Sequence, residues 1–485
     1  MTPADDLARR AATTPDATAL AWDGGHFTFA ELDEAVTSWS DRIRHAGVPP
    51  RSFVTLCLTP GPQAAAALFG AWRSGSIAMP LHEGLTDAEV AHAHQTVNSG
   101  LHIDNSGFHF AGREATEPAH PPDRGGEHPG DAGRPRHPGQ RPEVPPHVVA
   151  FLLTSGSSGA PKAIGFGHDA FAASAAAVTR RLALTPDDRW GLCLSLGHIG
   201  GLSLVVRAVM NGSSVRLWPS FDEDAIARAV VTGDVTHLAV VPVMLRRLLA
   251  RLTQVPETLR CVLVGGAASS PALLDDAWRA GLPVAPTWGM TETASQVATV
   301  PPDLARRFPG TVGRPLAGVE VRSGPGNVLA VRGPTLASVT IAGPGRPAEP
   351  LCTDADGWFT TSDIGRVDDN GLVWIEGRKD AIIVSGGLNV SPREVEHVIE
   401  TLPGVARAVV FGVPSEEWGE VVVAVVERDR PAGVSAPDIE RHCRARLARG
   451  RRPRRIVVVD ELPRTRTGKV MRVQVAERYG HTPGD

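Results

Sequence analysis

Short apolar runs of strand length alternate with longer helical stretches along most of the chain. Residues 53–58 and 77–81 have strand length, and the Ala-rich stretch 63–73 between them favours a helix. The same rhythm resumes later, with a strand at 148–153 and a helix at 169–184. Further strands are expected at 191–196, 215–218, 238–241 and 261–264. This alternation predicts an α/β fold in which mostly parallel sheets are covered by helices.

The pattern changes twice in the second half of the chain. Residues 311–375 contain short strands separated by Gly-Pro turns, which predicts a small all-β subdomain. After Arg378 we expect a helix at 392–401, strands at 406–413 and 421–427, a helix at 436–448 and a strand at 455–459. This last part is an α+β unit of about a hundred residues, which is large enough to fold alone.

One segment lacks the composition of a folded element. Residues 117–147 contain nine prolines and five glycines, and Val144 is their only aliphatic residue larger than alanine. Such a segment buries too little apolar surface to offset the entropy of ordering it, so we predict a surface loop. The spacing of its histidines matches no metal site; they are His120, His128, His137 and His147.

Length, charge and cysteine spacing narrow the protein class. The 485 residues suffice for roughly two to four domains. The net charge of −4 argues against a chain built to bind nucleic acid. No apolar stretch has membrane-spanning length, the N-terminus lacks a signal peptide pattern, and the five cysteines are too far apart for a disulfide scaffold or a CxxC metal site. We therefore expect a cytoplasmic protein without membrane or nucleic-acid partners.

Lysine is almost absent from the chain. Of 49 basic residues, only Lys162, Lys379 and Lys469 are lysines. Where arginine has replaced lysine throughout, a remaining lysine marks a position that needs a compact ammonium group rather than a planar fork. Chance survival is the alternative for any single lysine, but all three lie in Gly-rich or motif-like segments.

One of these lysines ends a loop of hydroxyl groups and glycines that directly follows an apolar strand. Glycines let backbone N–H groups turn inward as an anion nest, and the hydroxyls add further donors. Lys162 adds a charge suited to phosphate, although the spacing is not that of a Walker A loop. A Ser/Gly-rich loop is often a linker, but the end of a buried strand is a poor place for one. The predicted phosphate loop consists of Thr154, Ser155, Gly156, Ser157, Ser158, Gly159, Ala160, Pro161 and Lys162.

Together with four later motifs, this loop resembles the acyl-adenylate-forming superfamily of acyl-CoA synthetases, adenylation domains and luciferases. The later motifs are WGMTET at 288–293, TSDIG at 361–365, GRKD at 377–380 with GGLNVSP at 386–392, and PRTRTGK at 463–469. The resemblance covers nearly the whole chain. It implies an N-terminal domain, 1–378, of two stacked parallel-sheet α/β subdomains and a β-barrel-like subdomain. A small mobile α+β domain, 379–485, would follow.

The resemblance also implies roles around ATP and Mg²⁺. Activating a carboxylate with ATP builds charge on phosphoryl oxygens, which need a metal ion, a cation and backbone donors. Glu292 would bind Mg²⁺ and Thr291 would donate to phosphate, although a Thr-Glu pair alone equally marks a helix start. Asp363 would accept from the ribose hydroxyls and Arg378 would support ribose and phosphate. Gly265, Gly266 and Ala267 would border the adenine and the acyl group, although Gly-Gly after a strand alone marks only a tight turn. Trp288 and Gly289 would bind the nucleotide as part of the aromatic-Gly-x-Thr-Glu motif.

The C-terminal motifs are implied to act in both halves of the reaction. Lys469 would contact the carboxylate and the α-phosphate during adenylation. Asp380 would be the hinge for rotation of the C-terminal domain, although Ala381 follows where many relatives carry a second acid. Gly386 and Gly387 would then line the path of the CoA pantetheine. Eight arginines within residues 441–455 suit the phosphates of CoA, but a solvated basic helix, or a surface for a carrier protein or nucleic acid, explains them equally well.

Within the superfamily, residues 195–203 and 291–296 look most like the o-succinylbenzoate–CoA ligases of menaquinone biosynthesis. On that resemblance His198, Gly197 and Ser295 lie near the acyl group. Gly197 replaces a usual phenylalanine and Trp288 a commoner tyrosine. Loss of the phenyl ring could open pocket volume, while Trp288 fills space elsewhere. We therefore expect either an o-succinylbenzoate-like acid or a bulkier aromatic or polycyclic acid of specialised metabolism.

We therefore predict an ATP- and Mg²⁺-dependent carboxylate–CoA ligase that works through an acyl-AMP, with homodimer formation left open. Two alternatives remain. The chain could load an acyl group onto an acyl carrier protein, which presents the same pantetheine as CoA. It could also be a catalytically silent adenylate-binding protein, against which the intact Glu292 and Lys469 argue.

Overall fold

A computed structural model describes residues 1–110, 142–154, 161–379, 383–385, 388–415, 418–429, 433–447, 449–465 and 470–480. Within these ranges the α-helices are α1 Pro3–Thr13, α2 Phe29–His45, α3 Pro62–Arg73, α4 Asp87–Val97, α5 His168–Leu182, α6 Ile199–Asn211, α7 Glu223–Val231, α8 Pro242–Leu249, α9 Pro271–Arg279, α10 Pro302–Ala305, α11 Pro392–Glu400, α12 Ala436–Arg446 and α13 Arg472–Tyr479.

The strands of the first half are β1 Thr18–Trp22, β2 Gly25–Thr28, β3 Phe53–Cys57, β4 Ile77–Pro80, β5 Leu101–Asp104, β6 Gly107–Phe110, β7 Val148–Thr154, β8 Lys162–Gly167, β9 Arg189–Leu192, β10 Ser214–Leu217, β11 His237–Val240 and β12 Cys261–Val264. Those of the second half are β13 Val284–Met290, β14 Ser295–Thr299, β15 Glu320–Ser323, β16 Val328–Arg332, β17 Val339–Ile341, β18 Ala348–Pro350, β19 Phe359–Val367, β20 Val373–Arg378, β21 Ile383–Ser385, β22 Leu388–Val390, β23 Val405–Ser415, β24 Gly419–Arg428 and β25 Arg455–Val459.

The chain forms two compact units. The first consists of residues 1–175, 194–220 and 337–351, and the second of 176–193, 221–336 and 352–485. The predicted mixed α/β class is confirmed, and the two helices and three strands predicted after Arg378 appear close to their predicted bounds. The predicted domain boundary at 378/379 stays a prediction.

The first unit is built around a mixed sheet of strand order β18-β17-β8-β7-β4-β3-β5-β6. Strand β3 pairs in parallel with β4 and β5, and β4 pairs in parallel with β7. Helix α3 is buried along nearly its whole length and packs so tightly on α2 that a Cβ at Gly70 would lie 2.5 Å from Cβ of Trp39. Helices α2 and α4 both begin with a capping box, Thr28 with Glu31 and Thr86 with Glu89.

The second unit contains three sheets. The order β9-β11-β12-β13-β14 is parallel up to β13, and β14 is antiparallel to it. An antiparallel sheet of order β15-β16-β19-β20 is the predicted all-β subdomain, and β22-β21-β24-β23 with β25 beside β24 forms the C-terminal α+β part. The parallel strands are buried, as β11 and β12 illustrate, because helices cover parallel sheets.

Two details differ from the sequence-based prediction. Residues 337–351 do not join the all-β subdomain, because β17 pairs with β8 in the first unit. The strand expected at 191–196 is β9, which ends at Leu192; Leu194 and Leu196 instead belong to the loop that leads into α6. A buried loop leucine produces the same apolar pattern as a strand, so periodicity alone misplaces the boundary.

The five cysteines are free, as expected. No helix in the described ranges is both long and apolar enough to cross a membrane.

Candidate functional site

Three predicted nucleotide-binding residues meet in the second unit. Trp288 lies near the end of β13, and its indole Nε1 donates a hydrogen bond to Oδ2 of Asp363 on β19 at 2.8 Å. Asp363 is opposite Arg378 in the β19–β20 ladder, and Nη1 of Arg378 lies 3.6 Å from its Oδ1. The indole is 7% exposed, whereas the Arg378 side chain is 53% exposed. The carboxylate therefore stands between a fixed neutral donor and a solvent-facing cation.

The predicted aromatic-Gly-x-Thr-Glu motif forms a tight hairpin between β13 and β14. Ala294 and Ser295 have φ of 48° and 104°, a region that non-glycine residues rarely occupy. The hydroxyl of Thr293 holds the hairpin by donating to the carbonyls of Met290 and Ser295, both at 3.0 Å. Backbone strain of this kind persists only where the surroundings over-determine it, and it clusters at ligand sites.

Gly289 is required by the same hairpin. A Cβ at this position would lie 1.9 Å from the carbonyl oxygen of Ser295, which no side chain can accommodate. Close backbone approach therefore requires a glycine at this position of the motif. Thr291 and Glu292 occupy the 3-10 turn at the tip of this hairpin, and both are half-buried.

The predicted adenine-bordering turn follows β12. Gly265 approaches Thr287 so closely that a Cβ would lie 2.6 Å from Cγ2 of that threonine, and Gly266 has φ of 74°. Gly266 and Ala267 are exposed. The turn and the hairpin of β13–β14 therefore belong to neighbouring strands at their carboxyl ends, where ligands bind in open α/β sheets.

In the first unit, the predicted phosphate loop bridges two antiparallel strands. Thr154 ends β7 and Lys162 begins β8; the two residues are opposite each other in the ladder, and Thr154 Oγ1 donates to the carbonyl of Lys162 at 3.4 Å. The carbonyl of the preceding Pro161 lies 3.3 Å from Nε2 of His92 on α4. The loop ends are thus anchored by a hairpin, not by the strand-to-helix connection of a Walker loop.

His198 and Gly197 lie in the loop before α6, where His198 is exposed and Gly197 is buried. The expectation that Gly197 opens a pocket is wrong. A Cβ at this glycine would lie 2.3 Å from the backbone N of His82 and 2.4 Å from the carbonyl carbon of Leu81. The missing side chain therefore provides room for a backbone crossing and opens no additional volume at this position.

At this crossing, His82 and Glu83, which the sequence did not indicate as site residues, contact the loop before α6. The rings of His82 and His198 have centroids 4.9 Å apart. Ser195 Oγ donates to Oε2 of Glu83 at 2.6 Å and accepts from the Gly197 N–H at 3.2 Å. His82 and Glu83 follow β4 and are more than a hundred positions away from His198 in the sequence. Only the topology of the sheet could have revealed their proximity.

Several predicted site residues lie outside the described ranges. They are Ser155, Gly156, Ser157, Ser158 and Gly159 of the phosphate loop, Asp380, Gly386, Gly387 and Lys469. Residues 463–465, which begin the C-terminal lysine motif, are described and line a cleft of about 970 Å³ together with Val243 and Met244 around α8.

The C-terminal arginine run is partly neutralised by local partners. Arg444 pairs with Glu440 at 2.5 Å and Arg451 with Glu394 at 2.6 Å. The guanidinium of Arg454 stacks on Trp418, with its carbon 3.8 Å from the ring centroid. Much of the run therefore serves the structure of the C-terminal part, and the assignment of its remaining charges to CoA phosphates stays a prediction.

Comparison with known proteins agrees with these motifs. A family model described as "AMP-binding enzyme" matches residues 7–325, and its C-terminal domain model matches residues 394–469. A 2-succinylbenzoate–CoA ligase of Geobacillus kaustophilus is 33% identical over 491 residues, with 96% of each chain covered.

Solved structures with similar folds include two enzymes. The o-succinylbenzoate CoA synthetase of Bacillus subtilis, in complex with the acyl-adenylate OSB-AMP, matches with a TM-score of 0.82 and 27% identity over 97% of each chain. Other structures of that enzyme contain ATP with a magnesium ion, or, in a double mutant, the product analogue OSB-NCoA. ATP-bound MatB from Rhodopseudomonas palustris matches with a TM-score of 0.82 and 25% identity over 99% of each chain.

Proposed function

The chain belongs to the AMP-binding enzyme family, among its AMP-forming acid–CoA ligases, and on this premise we propose that it joins an aromatic carboxylic acid to CoA in two steps. In the first step a carboxylate oxygen attacks the α-phosphorus of ATP, and the bond to pyrophosphate breaks. In the second step the CoA sulfur attacks the acyl carbon, its proton is lost, and AMP leaves with the electron pair of the acyl–phosphate bond.

One observation supports the nucleotide part of this proposal most directly. Trp288, Asp363 and Arg378 come from three strands and two sheets of the second unit, yet one carboxylate joins them. An acidic side chain suits two adjacent ribose hydroxyls, and an indole suits a purine face. In the proposed complex, Asp363 accepts from the ribose, Arg378 supports ribose and phosphate, and the turn at Gly265–Ala267 borders the adenine.

The proposed magnesium site fits the residues that the structure describes. No group of three or more His, Cys, Asp or Glu side chains in these residues is arranged to hold a metal by itself. Mg²⁺ commonly takes only one or two carboxylates and completes its shell with water and phosphate oxygens. The half-buried Glu292, which follows Thr291 in the 3-10 turn, can supply such a carboxylate. When bound, Mg²⁺ would neutralise charge on the phosphate oxygens.

The remaining proposed roles belong to cations and small residues. Thr154 and Lys162 would bracket the phosphate groups, and Thr291 would donate to them. Lys469 would neutralise charge between the attacking carboxylate and the α-phosphate, while Gly386 and Gly387 would line the pantetheine path. These assignments rest on the motifs, because the Ser155–Gly159 loop, the glycine pair and Lys469 lie outside the described ranges.

For the substrate, we propose an acid related to o-succinylbenzoate. The support is the similarity to ligases of that name, and the His198–His82 pair, which offers imidazole donors suited to a second carboxylate. The case for a bulkier acid is weaker than the sequence suggested, because Gly197 leaves no free volume. Ser295 would lie near the acyl group through its position at the start of β14.

The decisive experiment is ATP–pyrophosphate exchange with a panel of acids, followed by detection of the thioester with free CoA. Exchange with o-succinylbenzoate and formation of its CoA thioester would support the proposal. Exchange without a CoA thioester would instead indicate loading of a carrier protein. No exchange with any acid would indicate a silent adenylate-binding protein.

A further inference from the structure

Two arginines of the C-terminal part donate to the main chain of the loop that follows the Gly265–Ala267 turn. Nη2 of Arg393 donates to the carbonyl of Ser269 at 3.0 Å, and Nη1 of Arg407 donates to the carbonyl of Ala268 at 3.3 Å. These two carbonyls come directly after the turn that would border the adenine. All of these residues belong to the second unit.

Two buried carboxylates on α11 lie beside these arginines: Glu400 pairs with both of them, and Glu396 pairs with Arg393. The side chains of Glu396 and Glu400 are 2% and 1% exposed. Nη1 of Arg393 lies 3.7 Å from Oε2 of Glu400, and Nη1 of Arg407 lies 3.4 Å from Oε1 of the same residue. The carboxylates also accept from two backbone N–H groups of β23, at 2.9 and 3.2 Å.

The ion pairs with these carboxylates fix the orientation of the guanidinium groups. A buried carboxylate must be paired, and the arginines that pair with it lose most of their freedom to move. Their remaining N–H groups are then pre-oriented toward the loop, and charge-assisted hydrogen bonds are stronger than neutral ones. A third hydrogen bond joins these two parts of the unit, with the donor on the other side. Nη2 of Arg246 on α8 donates to the carbonyl of Ala406 on β23 at 2.9 Å.

The turn lies between two fixed elements, strand β12 before it and helix α9 after it, where the buried Ser270 is the N-cap. Its first residue, Gly265, donates to the carbonyl of Val240 at 3.2 Å and abuts Thr287. Gly266, with φ of 74°, has wide conformational freedom, and the next two residues are exposed. Between Gly266 and Ser270, the carbonyls of Ala268 and Ser269 are held in addition by the two arginines.

We propose that Arg393 and Arg407 are positioning residues for the nucleotide-bordering turn, acting through the carbonyls of Ala268 and Ser269. Neither arginine needs to touch the nucleotide. The C-terminal part would thereby set the conformation of a turn that belongs to another part of the chain. The consequence for ATP rests on the proposed function, whereas the consequence for the turn does not.

The first test measures the turn directly in the full-length chain without ligands. In Arg407→Gln, amide hydrogen exchange should accelerate about tenfold in a peptide covering residues 265–270, the change expected for loss of one charge-assisted hydrogen bond. Arg393→Lys keeps the charge beside Glu400 but shortens the reach, and should act in the same direction. The matched control is Arg472→Gln, because Arg472 pairs with Glu396 at 2.5 Å but donates its other hydrogen bond to the carbonyl of Val410.

The second test measures the consequence for ATP. Arg407→Gln should raise KM for ATP about tenfold with a smaller change in kcat, while Arg472→Gln should lower the thermal midpoint and leave KM unchanged. Unaltered exchange at 265–270 in Arg407→Gln would overturn the proposal, as would equal acceleration in Arg472→Gln. If the wild type lacked activity with every acid, the proposed function would fail, but the hydrogen exchange result would still decide the positioning role.

Discussion

The indole Nε1 of Trp288 donates a hydrogen bond to Oδ2 of Asp363 at 2.8 Å, so one oxygen of the proposed ribose acceptor is already engaged. This bond fixes the rotamer of Asp363 and directs Oδ1 toward Arg378. A phenylalanine at position 288 would preserve an aromatic face but could not donate.

We therefore expect Trp288→Phe to weaken ATP binding about tenfold, since a hydrogen bond to a charged group contributes about 1.5 kcal/mol or more. Calorimetric titration of ATP would measure the change in Kd. The matched control is Trp374→Phe, because Nε1 of Trp374 donates to Oδ2 of Asp368 at 2.9 Å in the same β19–β20 region. An equal loss of affinity in both variants would contradict a specific role for the Trp288–Asp363 bond.

Gly289→Ala should destabilise the protein strongly. The new Cβ would overlap the Ser295 carbonyl oxygen at 1.9 Å, and backbone cannot move aside as a side-chain end can. We expect a loss of about 3 kcal/mol or more in the free energy of unfolding, together with loss of adenylation. Thermal unfolding would measure it against Gly433→Ala, whose Cβ would meet no atom within 4 Å. Similar midpoints for the two variants would refute the close-approach explanation.

Acid should destabilise the protein through a histidine in the first unit. Burial lowers the pKa of His94 to about 4, and the neighbouring His102, with its ring centroid 4.5 Å away, acts in the same direction. Because the folded-state pKa is depressed, the unfolded chain binds more protons between about pH 6.5 and 4. The stability that neutral His94 contributes is therefore present above pH 6.5 and is lost as the pH falls toward 4.

His94→Gln should flatten this part of the stability–pH curve, which denaturant unfolding at pH 4.5–7.5 would reveal. His168→Gln provides a control of opposite sign. The hydrogen bond that His168 donates to the carboxylate of Asp6 raises the pKa of His168, so its contribution is present at low pH and is lost as the pH rises through the folded-state pKa. Parallel curves for wild type and His94→Gln would exclude the effect.

Lys469→Ala should abolish acyl-AMP formation and spare thioester formation from synthetic acyl-AMP. Loss of one charged transition-state contact costs about 10²–10³ in rate, by analogy with an oxyanion donor. Lys469→Arg should also be impaired, because a planar fork does not replace a compact ammonium. Rapid-quench assays of the two half-reactions would measure both variants. Equal loss in the two half-reactions would remove the proposed alternation between them.

His198→Ala should weaken an acid with a second carboxylate more than a plain aryl acid. Only the former would lose a charge-assisted partner, which predicts a change of about tenfold in the ratio of kcat/KM values. The assay compares o-succinylbenzoate with benzoate, and His45→Ala on α2 serves as the control. An unchanged ratio in His198→Ala would place the second carboxylate elsewhere.

Elements with local signals could be predicted from the sequence, and contacts that depend on topology could not. The strands Cys261–Val264 and Arg455–Val459 appear at the predicted bounds, because each is an apolar or β-branched run with a clear end. The sheet membership of Val339–Ile341 was missed, since pairing with β8 requires contact across about 175 residues of sequence.

The same limit applies to the site. The motifs of Trp288 and Asp363 could be found in the sequence, but the hydrogen bond between the two side chains is visible only in the structure. The role of Gly197 was misread, because a missing ring looks the same in sequence whether it leaves a cavity or admits a backbone. The contact of Arg407 could not be predicted from the sequence. Its acceptor is a backbone carbonyl, which every residue has, so no residue type marks the partner.

The chain has three lysines, Lys162, Lys379 and Lys469. Lys162 begins β8 opposite Thr154, and the exposed Lys379 directly follows β20. An amine-selective acylating reagent would therefore find three side-chain targets and the α-amino group on the whole chain. Each side-chain target lies within a proposed ATP or hinge motif. Mass spectrometry after mild labelling would measure how much of each lysine is acylated. A decrease in acylation when ATP is added would report on these motifs, without signal from other lysines.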